Sequence, residues 1–529
     1  MQRRFILLVA VAVLVVAGLL PLAAILSGSV IVDGTITLQA YRKLLADPER
    51  YLNSVGHTLT LAGLTAAIAS ALGLGLGVIL GKTDLPLRGM LSALLAIPLL
   101  IPPYILAVCW SDLLAPSGLL AGALPASVIS RLSGWLYALP GCVWIMVSAL
   151  TPIVMIFALV SLRSVDAKLE EAARLTAGWT STLTHITLPM VEPAIVFAAL
   201  IVFLLVAGEV GVPMLLRYAV YPEQTFVQFS AFYDFAAASA TAVPLVILAL
   251  ALLSLEQRYL RERTYRLLAA TPGGRRLIVP LRRWRMPVFL FVALVVAGFV
   301  LLPLAALLYT SFSPLGYRQA WVNTAESMGR SVLFAMLGAS ALTTIGFFCG
   351  YLIQRRAASW WRAVDTLSLL LFTVPGTVIG VGLIAVWNHS ATGFVYGSSA
   401  MLILAYLAQY CALTSRISIA ILASVPVSVE DAAQIGGAPW LARIRYVVLP
   451  ASLPGVIAAW AVAFIFCLRD LGASMLVYPA GADTLPVRIF TLMANGSPSM
   501  IAAACVSLIA INCAMLAALV AAARVLEKR

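Results

Sequence analysis

Long apolar runs alternate with short polar stretches along this chain. Twelve runs reach the ~20 mostly apolar residues that a membrane-crossing helix needs. They lie at roughly 5–27, 59–80, 91–110, 136–162, 191–216, 237–255, 287–309, 332–353, 364–387, 397–424, 452–478 and 500–523. Backbone polar groups in hydrocarbon must be satisfied within the segment, so runs of this length predict helices; barrel strands would alternate over ~10 residues. Two polar islands interrupt the pattern at corresponding places. One is Glu171 to Pro189, EAARLTAGWTSTLTHITLP, and the other is Asp431 to Pro450, DAAQIGGAPWLARIRYVVLP.

The two halves repeat each other. Gly56-His57 matches Gly329-Arg330 at a spacing of 273, and Pro102 matches Pro375 at the same spacing. The islands match at 260 or 261, and GEVGVPMLL (208–216) aligns with RDLGASMLV (469–477). The expected organisation is a first half at 1–255, a linker at 256–286 and a second half at 287–529. Six spans per half return the chain to the same side, so the copies run parallel, with a pathway expected between them. The linker carries nine arginines around Pro272-Gly273-Gly274 and reads as a cytoplasmic segment near anionic lipid headgroups.

Composition agrees with this reading: 62% of the residues are hydrophobic and 10% are charged, against about a quarter charged in soluble domains. The net charge of +13 raises the question of nucleic acid. The basic residues sit in short loops without a continuous basic face, so no nucleic-acid partner is expected. They report orientation instead. With the N-terminus inside, 25 of the 34 lysines and arginines fall on the inner side, which predicts both termini and both islands in the cytoplasm. The first span follows Arg3-Arg4 but is too long for an ordinary signal-peptide core, and is expected to be retained.

Catalytic chemistry finds little footing. His57, His185 and His389 are far apart, and no hydrolase or paired-carboxylate motif is evident, so no enzyme activity is expected. The seven cysteines fall in apolar spans without a close pair and are expected to be buried thiols, with no metal site. Gly77 to Thr83 imitates a phosphate loop with one residue too few between its glycines. Gly73, Gly77 and Gly81 at spacing four read better as a small-residue face for helix packing.

The islands carry the signal. Asp431-Ala432-Ala433 suits a helix start, and Gly437 with Pro439 breaks that helix into a turn. A short helix over 440–447 follows, and Leu449-Pro450 is expected to end it as the next span begins. The result is a helix–turn–helix along the membrane face. Charges inside spans are costly and default to functional candidates; Glu209 and the Arg469–Asp470 pair qualify, as flanks of a pathway's outer gate or as helix-locking groups. Mid-membrane ionisable residues would instead favour an ion-coupled secondary transporter.

The islands resemble the EAA loop of binding-protein-dependent ABC importer permeases: Glu-Ala-Ala, three residues, Gly, nine residues, Ile-x-Leu-Pro. The second keeps this spacing through Asp431, Ala432, Ala433, Gly437, Leu449 and Pro450. The first keeps Glu171, Ala172, Ala173, Leu188 and Pro189, but is one residue shorter, with Gly178 one place late and Ala177 at the expected position. The resemblance covers essentially the whole chain. It implies an all-α fold of about twelve transmembrane helices in two parallel six-helix repeats, in a bacterial inner membrane. It also implies that 171–189 and 431–450 are coupling loops docking on a cytoplasmic ATPase dimer. ATP and Mg would be bound by that partner, with no cofactor in this chain, and a periplasmic substrate-binding protein would deliver substrate. The fused two-half form looks most like ferric-iron-type permeases, whose relatives carry thiamine, phosphonate or polyamine.

Overall fold

The computed structural model describes residues 2–32, 34–259 and 277–527. Of the expected linker, residues 260–276 lie outside them. The main helices, in chain order, are α1 Gln2–Gly28, α2 Pro48–Lys82, α3 Arg88–Leu100, α4 Pro103–Leu114, α5 Leu139–Ser164, α6 Ala167–Thr176, α7 Trp179–Ala207 and α8 Phe235–Tyr259. After the linker come α9 Arg282–Ser311, α10 Pro314–Gln354, α11 Trp361–Thr373, α12 Gly376–Trp387, α13 Ala400–Ser424, α14 Val427–Ile435, α15 Trp440–Arg469 and α16 Pro498–Glu527. Among the described residues eleven helices are long and apolar enough to cross a membrane, counting α4 with its continuation to Gly122 as one, or twelve if the bent pair α11–α12 is one span. The strands described are a hairpin of Ile31–Val32 and Thr35–Ile36. The chain is an all-α, multi-pass membrane protein.

Two expected spans are not straight. The run at 91–110 divides into α3 and α4, and the run at 364–387 divides into α11 and α12, which meet at 108°. Proline is the cause in both. Ile101 (φ −103°, ψ 125°) and Val374 (φ −80°, ψ 130°) are extended, as the residue before a proline prefers. Pro102 and Pro375 then start the next helix, where a missing N–H costs nothing. Gln409 Nε2 donates to the freed Val374 carbonyl at 3.4 Å, which helps satisfy backbone that the break exposes.

By packing, the chain divides into two compact units: 1–53 with 221–253 and 314–529, and 54–220 with 254–313. These packing units cut the chain differently from the sequence repeats, because the first span of each half is counted with the other half and most of α8 is counted with the second half. In the first unit α1 lies on α12, where a Cβ at Gly382 would come within 2.6 Å of the Pro21 carbonyl oxygen. In the second unit Val292 and Val296 of α9 join Leu76, Leu80, Leu91, Leu95 and Met155 in one buried cluster. Periodicity along a helix says which face is apolar, but not which distant helix covers it.

The small-residue face is present. A Cβ at Gly73 would come within 2.6 Å of Val154 Cβ and 3.0 Å of the Met155 nitrogen, and Gly77 lies against Ala158, so α2 is seated on α5. The repeat carries the same device 273 residues later, at Gly346 and Gly350 of α10 against α13.

Between α1 and α2, Lys43 Nζ binds Asp234 Oδ2, just before α8, at 2.6 Å. Burial alone would raise the Asp234 carboxyl, but hydrogen bonds from Lys43 and the Ala237 amide outweigh it and hold the group below its ordinary value. A depressed carboxylate stabilises the fold above its unfolded pKa, and that stability is lost as pH falls through the lower folded value. Hydrogen exchange of residues 39–45 should therefore accelerate as pH falls below about 4 once intrinsic exchange is corrected. The effect should be at most about 1 kcal/mol, because Lys43 is largely exposed.

Candidate functional site

The second island starts as α14, after Pro426 in an extended conformation. The helix stops at Gly437, whose φ of +83° is the left-handed conformation that glycine adopts freely. The Gly437 N–H bonds the Gln434 carbonyl at 2.9 Å and the Ala438 N–H bonds the Ala433 carbonyl at 3.0 Å, the paired bonds of a Schellman-type end. Pro439 turns the chain into α15, and the Arg443 guanidinium closes the turn on the Gln434 side-chain oxygen. The expected turn at Gly437 is therefore present.

The first island reaches a similar shape by another route. Asp166 caps α6 by accepting the Lys168 N–H at 2.9 Å. The chain then leaves the helix extended through Ala177 (φ −141°, ψ 157°) and Gly178 (φ −73°, ψ 174°). Alanine at the turn position would be strained in a left-handed conformation, and an extended exit one residue shorter avoids it. The Arg174 guanidinium lies 3.9 Å from the Trp179 ring centre and closes this turn. Glu171, Ala172, Asp431 and Ala432 are exposed, while Ala173 and Ala433 are half-buried. Each loop also presents one apolar side chain almost wholly in the open: Leu175 at 89% and Ile435 at 88% exposure.

Leu-Pro does not end the short helices as expected. Helices α7 and α15 run from Trp179 and Trp440 through a π turn, Leu183–Thr187 or Ile444–Val448, straight into their spans. In each, the leucine N–H (Leu188, Leu449) reaches back five residues, and Pro189 or Pro450 follows. Proline cannot donate and its ring clashes with the carbonyl four residues earlier; one widened turn accommodates both. The π turns at Val15–Leu19 and Ala297–Leu301 also precede a Leu-Pro, at Leu20-Pro21 and Leu302-Pro303. Leu188 and Leu449 are half-buried, and Pro189 and Pro450 are exposed.

Sequence reasoning missed the acid one place earlier in each loop. Glu170 is 2% exposed, and Lys82 Nζ, at the end of α2, donates to both its oxygens at 2.7 Å. Thr187 Oγ1, in the π turn, donates to Glu170 Oε1 at 2.8 Å. Glu430 is 6% exposed, accepts the Tyr351 hydroxyl proton at 2.5 Å and pairs with Arg355 Nε at 3.5 Å. Trp440 Nε1 in turn donates to the Tyr351 hydroxyl at 3.2 Å. A signal was available: Lys82 and Arg355 are 273 apart, the same spacing as the repeated prolines.

Glu209 lies past the end of α7, not within a span, and its Oε1 accepts the N–H groups of Gly211 and Val212 at 2.9 and 3.4 Å. Asp470, just past α15, accepts the Tyr410 hydroxyl at 2.7 Å, the Ser474 N–H at 2.8 Å and the Ser474 hydroxyl at 2.7 Å. Each carboxylate thus sits at the start of a short helix, Gly211–Leu215 or Ser474–Val477. Arg469 lies over Phe466, 4.8 Å from the ring centre. A largely buried pair that the sequence reading did not single out joins Arg416 of α13 to Asp365 of α11 at 2.8 Å. Six of the cysteines are buried as expected, but Cys513 is exposed on α16: an apolar span does not fix which of its residues packing covers.

Residues 342–527, including the whole second island, match the family described as binding-protein-dependent transport system inner membrane component. The putative ferric transport system permease protein of Haemophilus influenzae is 22% identical over 459 residues, 82% of this chain and 71% of the relative. The ferric transport system permease protein of Actinobacillus pleuropneumoniae is 22% identical over 460 residues, 81% of this chain; the match spans 65% of that relative's length. The putative 2-aminoethylphosphonate transport system permease protein of Salmonella typhimurium is 29% identical over 236 residues, 40% of this chain and 85% of the relative.

Proposed function

We propose that this chain, a permease of the ABC importer type, forms the translocation pathway of an ATP-driven importer whose substrate is ferric iron. The loops at 171–189 and 431–450 dock, one each, on the two subunits of a separate cytoplasmic ATPase, which binds ATP and Mg. A periplasmic binding protein delivers the substrate, and both termini face the cytoplasm. The organisation is two parallel halves, 1–255 and 287–529. The observation that carries the docking role is the shared loop shape: two helix–turn–helix knobs, each with one apolar side chain, Leu175 or Ile435, left almost fully exposed. Exposed apolar side chains of this kind mark protein contacts. The ferric assignment is supported by the two ferric permeases spanned over most of this chain; phosphonate, polyamine or thiamine are the alternatives for the same machine.

Co-expression with the ATPase tests the reading. The wild-type chain should purify with two ATPase copies. Leu175→Glu with Ile435→Glu should reduce ATPase retention at least about tenfold, since placing two charges in apolar pockets exceeds the ~1.4 kcal/mol that a factor of ten requires. An intact complex in the double variant would overturn the docking role. Glu209 and Asp470 are the candidates for the pathway's outer gate, and alanine at both should change uptake. An ion-coupled transporter would use paired buried charges such as Arg416 and Asp365. Uptake that persists without ATP would favour that reading.

A further inference from the structure

The acids that the motif exposes and the acids that the fold buries are different residues, one position apart on the same helix. Glu171 and Asp431 face outward, free to meet a partner surface, while Glu170 and Glu430 turn inward. We infer that Glu170 and Glu430 are positioning residues that fasten each docking loop to the end of its long helix, α2 or α10, so that displacement of the loop moves that helix. The inference rests on the docking role proposed above and adds how the docking movement leaves the loop.

Each carboxylate joins three elements. Glu170, on α6, holds Lys82 at the end of α2 and Thr187 in the π turn leading into α7. Glu430, on α14, holds Arg355 and Tyr351 at the end of α10, and Tyr351 holds Trp440, the first residue of α15. Arg355 Nη2 also bonds the Val425 carbonyl at 2.9 Å, just before α14. The chemistry differs, with lysine and threonine in one case and arginine, tyrosine and tryptophan in the other, but the connection is the same. Two unlike networks joining the same three elements are not explained by a shared local sequence.

The pairs are buried, with side-chain exposures of 6% and 3% for Lys82–Glu170 and 10% and 8% for Arg355–Glu430. Separating such a pair strands a charge without water, so the joint resists opening. The helices it grips are long. At 1.5 Å per residue, the 35 residues of α2 span about 52 Å and the 41 of α10 about 62 Å, against a ~30 Å hydrocarbon core. A shift imposed at Lys82 or Arg355 therefore reaches the far membrane face along one continuous helix.

The test uses the complex of this chain with its ATPase, with Cys513→Ser and spin labels at Leu59→Cys and Leu333→Cys. Both positions are exposed, on α2 and α10, and more than 20 residues from the joints. The inter-label distance is measured without nucleotide and after trapping with ATP and vanadate. The parent complex should show an ATP-driven change. Glu170→Gln with Glu430→Gln should lose most of it, and the exchange Lys82→Glu with Glu170→Lys, in an otherwise native chain, should restore the change that Glu170→Gln alone removes. An unchanged shift in the Gln variants, or no shift in a parent complex that holds its ATPase, overturns the inference. Should the Gln variants fail to fold, the exchange decides: a folded, responsive exchange variant supports the joint and an unresponsive one overturns it. A parent chain that binds no ATPase refutes the docking role itself, which is a separate outcome.

Discussion

Gly346→Leu should leave little folded protein, whereas Gly329→Leu on the same helix should be almost silent. A Cβ at Gly346 would stand 2.6 Å from Thr414 Cβ and 3.0 Å from the Ser415 nitrogen, and one at Gly350 would stand 2.7 Å from Ser418 Cβ and 2.9 Å from the Ser415 carbonyl oxygen. These neighbours include the backbone of α13, which cannot rotate away as a side chain can. Overpacking costs ~1–3 kcal/mol where neighbours can shift, so a leucine here should reach at least the top of that range. Gly329 has nothing among the described residues within 4 Å of the added carbon. The same contrast should hold on α2 between Gly73→Leu and Gly75→Leu, since Gly75 also faces open space. Monodisperse yield from detergent and the unfolding temperature read the difference. Equal loss at Gly329 and Gly346 would mean that the close helix crossing is not what the glycine secures.

The face of Gly73, Gly77 and Gly81 was legible because spacing four on a helix keeps residues on one side, whatever the helix meets. The spans were legible for a similar reason: length and apolarity are local properties. The breaks at Pro102 and Pro375 were less so, because hydropathy runs unbroken across them while the backbone does not. The exchange of first spans between packing units left no local trace, since Gly382 says only that something comes close and not that it is Pro21. Glu170 and Glu430 are the most instructive. Two adjacent acids on a helix point about 100° apart, and which one turns inward is decided by a cation 88 residues away in one case and 75 in the other. The motif directed attention to Glu171 and Asp431, the exposed pair; the repeated placement of Lys82 and Arg355 was the clue to the buried one.

The two loops should also answer differently to the same substitution at their glycines. Gly437→Val should weaken ATPase retention about tenfold, and Gly178→Val less than about twofold, with the transmembrane fold intact in both. Among the described residues neither site has an atom within 4 Å of an added Cβ, so packing does not distinguish them. Backbone conformation can. Gly437 sits at φ +83°, where a residue with a Cβ is strained by ~1–2 kcal/mol and a β-branched one by more. Valine would therefore pull the loop out of its Schellman-type turn and move Ile435 and the exposed face of α14 away from the partner. Gly178 sits at φ −73° and ψ 174°, extended backbone that valine adopts without cost. Gly437→Asn should fall between the two, because asparagine tolerates the left-handed conformation better than other side chains. Equal weakening at both glycines would show that the loops share one turn geometry in the complex, and that the extended exit at Ala177 is rebuilt when the ATPase binds.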